Sequence, residues 1–268
     1  MTTSLSSPQT RVTRNDGYGR SSRFYDVEDK RLPSVTTILQ AVNKPALVNW
    51  AAKTEREMVI TAAADLYEDL PLAAPRMKRM AYLSTLQGRL GTTKAHAKEL
   101  QKAADIGSAA HAKIEWTLRR DMGQMVGPEP VLSEKALWAF MAWEDWRKAA
   151  NLSVALVEQT VYSVQHGYAG TMDWTGEIDH EGQRLQVLGD WKTSKGIWPE
   201  MLLQNAAYVH ALIEMGQATP PISGCLVRLP KVETDPAFEV RIIPADTQRA
   251  LLKVFLATLD LWKWLDAQ

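Results

Sequence analysis

The chain has 268 residues, 46% hydrophobic and 23% charged, enough apolar material for a sizeable folded core. Its 31 basic and 31 acidic residues cancel to a formal net charge of zero, which removes any global electrostatic argument for nucleic acid but leaves room for a local one. The single cysteine, Cys225, excludes an intrachain disulfide, a thiolate zinc site and a cysteine-held cluster within one chain, and fits a reducing cytoplasm. No apolar run approaches the roughly 18 residues of a membrane span, so no membrane is expected as a partner.

Residues 1–24 are polar and read as a flexible N-terminal tail without the apolar centre of a secretory signal. Pro33 to Leu39 opens the ordered part, with Ser34 or Thr36 capping a short helix. Helical periodicity runs from Pro45 through Trp50 and Met58 toward Leu66, and Pro71 and Pro75 break it. It resumes from about Met77 to Leu90, from about Lys94 or Asp105 to Arg120, and from Ser133 to Ala150, with a loop at Gly123 to Pro130. Most of the ten tryptophans fall on these and later helices, where packing explains them.

After Asn151 the period drops to two. Val154 to Tyr162, Gly167 to Asp179 and Leu185 to Lys192 read as three strands, the last two joined by a tight turn at His180-Glu181-Gly182. Alternation puts Val154, Leu156, Glu158, Thr160 and Tyr162 on one side of the first strand. Pro199 to Met215 reads as a helix with Pro199 in its first turn. Two further strands, Ile222 to Leu229 and Phe238 to Ile243, precede a helix capped by Asp246 or Thr247, on which Leu252, Phe255, Leu259 and Trp262 recur at helical spacing. The expected organisation is a mainly helical region over 25–150 packed on a β-β-β-α-β-β-α core over 151–268.

The chemistry sits in this core. Asp190 and Lys192 are two apart on a strand and project to the same side, roughly 6.5 Å apart along the chain. Asp173, at the end of Gly170-Thr171-Met172-Asp173, lies on the preceding strand, where the two carboxylates could share a hard divalent cation. A lysine two residues after the second acid suggests a metal-dependent hydrolase of phosphodiesters, with Lys192 holding or helping to activate the attacking water. Two acids and a lysine alone are equally a surface salt-bridge cluster. Glu158, on the same predicted face as Val154 and Leu156, is a strange place for an unpaired charge unless a metal or its water resolves it. Gln204 and Tyr208, i and i+4 on the next helix, can both face the site and contact a phosphate.

Gly107, His111 and Glu115 are spaced by four on one helix. His111 is a candidate metal ligand or phosphate contact, with a structural histidine as the alternative. Between Arg89 and Arg120, seven Lys or Arg stand against three acids. Lys98, Lys102, Lys113, Arg119 and Arg120 are therefore candidate DNA-backbone contacts, unless the run is a solvated helix face.

The ordered set Gly107 to His111, Glu158, Gly170 to Asp173, Asp190 to Lys192 and Gln204 to Tyr208 resembles the PD-(D/E)xK nuclease superfamily. Within it, the RecB-like exonuclease branch and the standalone recombination exonucleases of phages and bacteria are the most similar. The resemblance spans about 100 residues. It implies an α/β restriction-endonuclease-like core with a mixed central sheet flanked by helices, here with an N-terminal helical elaboration. It also implies Mg2+ or Mn2+ as cofactor, and DNA as partner. By the same resemblance Asp173, Asp190, His111 and the Trp191 backbone carbonyl are metal ligands, and Lys192 is the catalytic lysine, with Glu158, Gln204 and Tyr208 completing the motifs. The expected activity is a DNA exonuclease of recombination, repair or phage DNA processing. An endonuclease of the same fold and a non-catalytic nucleic-acid-binding protein are the alternatives. Some relatives hold an iron-sulfur cluster on four cysteines, which this chain lacks. There is no G-x-x-x-x-G-K-[ST] loop for a fused helicase. A recombination partner protein or a second copy, in the cytoplasm of a bacterial cell or phage-infected host, completes the expectation.

Overall fold

The structure is a computed structural model that describes residues 9–16, 20–42, 45–68, 79–92, 94–231 and 238–268. Its centre is a five-stranded sheet of β4 (Ser153–Ser163), β5 (Tyr168–His180), β6 (Gln183–Lys192), β7 (Ser223–Arg228) and β8 (Glu239–Ile243), in that spatial order. All neighbours are antiparallel except β6 and β7. Glu181 and Gly182 both have positive φ, 49° and 75°, the conformation of a two-residue hairpin, and His180 pairs with Gln183 across it. Parallel β6 and β7 need a long crossover, which helix α6 (Pro199–Glu214) supplies. The result is an α/β protein with a mixed sheet flanked by helices, and the strand and helix expectations after Asn151 hold to within two residues at nearly every end.

Alternation along the strands feeds two cores. Val187 and Trp191 of β6 pack with Val157, Trp174, Cys225 and Val227 against α4 (Ala95–Asp121) and α5 (Glu134–Ala149). Leu188, between them in sequence, packs on the opposite face with Val161, Tyr168 and Met172 against α6 and α7 (Gln248–Asp266), where Phe255 and Leu259 lie. Tryptophans dominate the first core. Trp174 stacks on Trp191 at 5.0 Å and 16°, and Trp143 and Trp146 meet Trp191 edge-on at 6.1 and 5.4 Å. The stack requires Gly189, because a Cβ there would overlap the Trp174 indole.

Before the sheet lies a smaller antiparallel one, β1 (Gln9–Asp16), β2 (Arg20–Val27) and β3 (Lys30–Pro33), followed by α1 (Val35–Ile38), whose N-cap Ser34 accepts the Thr37 N–H at 3.0 Å. The expected tail over 1–24 is thus corrected: its part over 9–16 and 20–24 is strand. Strand pairing of β2 with β3, and burial of Tyr25 and Val27, supply a reason that polar composition alone hid. Residues 1–8 and 17–19, the breaks at Pro71 and Pro75 and the helix start at Met77 lie outside the described residues.

Two compact units divide the chain: Met1–Val42 with Ile106–Gln268, and Asn43–Asp105. The boundary falls inside α4, so the expected helical region over 25–150 splits. Its end, from Ile106 through α5, belongs with the sheet. The second unit holds α2 (Pro45–Glu68), α3 (Arg79–Leu90) and the first turns of α4, where His96 Nδ1 meets Glu55 Oε1 at 2.6 Å. Among the described residues, no helix is long and apolar enough to cross a membrane.

Candidate metal centre

Strand register lines up three acids. The pairs Val157↔Trp174 and Gln159↔Met172 bracket Glu158 and Asp173 on β4 and β5. The β5–β6 ladder ends at Trp174↔Gly189, and one further step brings Asp173 beside Asp190. Beyond that row β5 pairs with β4 and, at Ala169, with Ser34, while β6 pairs with β7 as far as Lys192↔Arg228. The acids therefore stand where β5 and β6 part. Asp173 Oδ2 accepts the Trp191 N–H at 2.7 Å, a side chain satisfying a backbone donor where the ladder opens.

Glu158 sits in left-handed backbone, φ 47°, within an otherwise extended strand. This conformation is costly for a residue with a Cβ, and is held only where the surroundings over-determine it. Together with a register shift between Val154 and Leu156 it breaks the single face expected for β4. Val154 and Val157 pack toward α4 and α5, whereas Leu156 and Val161 pack toward α6 and α7. The kink leaves Glu158 on the α4 side, lining a cavity of about 350 Å³ with Gly107, Ser108, His111, Ala112 and Glu115. Gly107 lets α4 come this close, since a Cβ there would stand 2.7 Å from Thr193 Oγ1 at the end of β6.

His111, Glu158 and Asp173 each bring one donor atom within 4.8 Å of the other two. His111 Nδ1 is 3.6 Å from Asp173 Oδ2, too long for a hydrogen bond and short enough for two ligands of one ion. Oxygen and nitrogen ligands at about 2.0–2.6 Å from a cation lie at most some 5 Å apart across it, so this set fits a metal. Electrostatics agree. Burial pushes the Glu158 carboxyl up to about 8, and the charges of Asp173 and Glu115 add to the rise while Arg119 opposes it. A cation placed beside this carboxyl would oppose the rise by favouring its charged form.

Asp190 stands outside that set of mutually close donors. Two residues after Leu188, it projects to the α6 side of β6, where its Oδ2 lies against the Lys192 ammonium in a close ion pair without an aligned hydrogen bond. Burial raises its carboxyl and the Lys192 charge pulls it back. A cation shared between Asp173 and Asp190, as the spacing suggested, would compete with Lys192 for Asp190. Lys192 Nζ also donates to Gln204 Oε1 at 3.2 Å, and Gln204 Nε2 donates to the Tyr208 hydroxyl at 3.3 Å. Tyr208 is buried beneath Gly170, whose missing Cβ leaves room for the phenol, and burial pushes its hydroxyl well above the ordinary range, keeping it a proton donor. Asp190, Lys192, Gln204 and Tyr208 thus form one chain of contacts, and the i, i+4 reading of the last two holds.

Trp191 enters through its N–H, as above. The basic candidates differ among themselves. Lys98 and Lys102 are exposed in the second unit, Lys102 paired with Glu99. Lys113 is nearly buried, paired with Glu129 and over the Trp116 ring at 4.6 Å. Arg120 pairs with Asp121, and Arg119 with Glu115. Lys113 and Arg119 lie with their stems against the protein, whereas Arg120 stays at the surface beside its exposed neighbour Asp121. Residues the sequence reading passed over include Tyr25, whose hydroxyl meets Thr171 Oγ1 at 3.0 Å behind the Gly170–Asp173 segment, across 146 positions of chain. No local pattern signals such a contact. Glu115 was visible in its spacing from His111, though not its place in the cavity wall.

A scan of the chain against protein-family models gives no match, and neither does a search of curated proteins. Chemistry and geometry therefore carry the functional reading.

Proposed function

We propose that the chain is a Mg2+- or Mn2+-dependent deoxyribonuclease with a restriction-endonuclease-like core, acting as an exonuclease. The observation that carries the proposal is a lysine ammonium, held between Asp190 and Gln204, one strand from a His111, Glu158 and Asp173 set able to hold a cation. The order antiparallel, antiparallel, parallel, with α6 crossing between β6 and β7, is compatible with that core.

His111, Glu158 and Asp173 would hold the metal. When bound it would neutralise phosphodiester charge and increase the acidity of a water. Lys192 supplies a fixed positive charge where negative charge grows on the phosphate oxygens, and its contacts to Asp190 and Gln204 aim it without reorganisation. The Tyr208 hydroxyl oxygen accepts the Gln204 amide N–H, so it orients the amide that orients the lysine. The Trp191 N–H, donated to Asp173 Oδ2, fixes the carboxylate beside His111.

The test is incubation of the full chain with end-labelled linear DNA and closed circular DNA, in Mg2+, Mn2+ or EDTA. Metal-dependent release of label from linear DNA with the circle left intact is the expected result. Cleavage of both substrates would replace exonuclease by endonuclease action, and binding without cleavage in either metal would leave only a nucleic-acid-binding protein.

A further inference from the structure

Arg119 was a candidate contact to DNA, yet all three arms of its guanidinium end on this chain. Nε donates to Glu115 Oε1 at 2.7 Å, Nη1 to Gln124 Oε1 at 3.1 Å and Nη2 to the Val157 carbonyl at 3.3 Å. Val157 is the residue immediately before Glu158, the one strand residue of the sheet's edge held at positive φ. Glu115 lies in the same cavity wall as Glu158 and His111. The arginine therefore joins α4, which carries His111, to the kink in β4 that presents Glu158.

The geometry points to Arg119 as a positioning residue of the metal centre: it ties the Val157 carbonyl to α4 and so holds Glu158 in the left-handed conformation that turns its carboxylate toward His111 and Asp173. The inference rests on the metal reading above and adds a residue to it. A planar guanidinium suits the task because it serves three acceptors in fixed directions at once. A lysine ammonium could keep the pair with Glu115, but its compact charge cannot span to Val157 and Gln124 together. Among the described residues no other hydrogen bond ties the Val157 carbonyl to α4, so without it Glu158 is free to relax toward ordinary strand geometry, away from the other two donors.

The experiment is Mn2+ binding alone, without DNA, by calorimetry and by the electron paramagnetic resonance of free Mn2+, on the full chain and on Arg119→Ala and Arg119→Lys. Thermal unfolding of the metal-free proteins is measured alongside. The expected result is a loss of Mn2+ affinity of at least fivefold in both variants, with folding retained. Millimolar guanidinium, too dilute to denature, should restore part of the loss in Arg119→Ala by filling the vacated place. A loss smaller than fivefold in a folded variant overturns the inference. Should Arg119→Ala fail to fold, Arg119→Lys decides by the same threshold, since it retains the charge and most of the packing. Failure of the unaltered chain to bind Mn2+ overturns the metal reading itself, whereas binding by the unaltered chain and undiminished binding by the variants overturns only the role of Arg119.

Discussion

On the proposed reading, Glu158 would make metal uptake a proton-coupled event. Its carboxyl stands at about 8 in the metal-free protein, raised first by burial and then by Asp173 and Glu115, with Arg119 opposing and Asp190 adding a smaller push. At pH 7 such a group is about nine-tenths protonated, and ligation must expel that proton. The difference in protons released per Mn2+ between the unaltered chain and Glu158→Gln should therefore be about 0.9 at pH 7, falling to about 0.1 at pH 9. Calorimetry in buffers of different ionisation enthalpy measures it, and the subtraction isolates the proton on Glu158. The same linkage acts on stability. The folded-state value lies above the ordinary 4.5, so the metal-free protein gains stability from this group below about pH 4.5 and loses it as pH rises through about 8. The gap corresponds to roughly 5 kcal/mol in full, and the open cavity cuts this to on the order of 2 kcal/mol by solvent screening. Glu158→Gln should therefore raise the melting temperature of the metal-free protein at pH 8 and leave it nearly unchanged at pH 4.5. Equal proton release by the two proteins at pH 7 would refute the reasoning.

Lys192→Ala should lower the single-turnover cleavage rate about a hundredfold or more, some 2.7 kcal/mol, with little change in DNA affinity; a variant that binds poorly but cleaves normally at saturation sinks the role. Gly189→Ala should destabilise the protein by about 3 kcal/mol, because its methyl group meets the Trp174 indole in the Trp174–Trp191 stack, and unaltered denaturant unfolding would show that the stack yields without cost. Replacing Lys98 and Lys102 together by alanine should reduce the salt slope of DNA binding by at most about two units, and an unchanged slope assigns that exposed run to solvation.

How much of this was legible in advance follows from the range of the interactions. Helices α5, α6 and α7 and strands β4 to β6 announce themselves through neighbours three, four or two residues away, and the hairpin through Glu181-Gly182. Strands β1 and β2 did not, because what orders them is pairing of β1 with β2 and of β2 with β3, and contact of Tyr25 with Thr171, far along the chain. The split of the helical region inside α4 was equally invisible, since one uninterrupted helical period crosses it. In the site, the motif residues are expected by type and order alone, and alternation places Glu158 by counting in twos. A left-handed residue defeats that count, and glutamate gives no warning of one as glycine would.

The division of charge at the centre explains why the ligand set differs from the spacing argument. Four acids gather there, Glu115, Glu158, Asp173 and Asp190, and the chain supplies two side-chain cations against them. Arg119 takes Glu115 and Lys192 takes Asp190. The two acids left are the pair that share His111, Glu158 and Asp173. Two carboxylates without a side-chain cation leave two negative charges, which one divalent ion would balance, and in its absence the proton on Glu158 relieves half of them. On the proposed reading, Asp190, paired with Lys192, would aim the ammonium, while the strained glutamate on edge strand β4, two strands away, would be the better metal ligand. Asp190→Asn should accordingly leave Mn2+ affinity within a few-fold of the unaltered chain but loosen Lys192, lowering the cleavage rate toward that of Lys192→Ala. Asp173→Asn should abolish Mn2+ binding. Equal loss of metal affinity in both variants would return Asp190 to the ligand set and overturn its role in aiming Lys192.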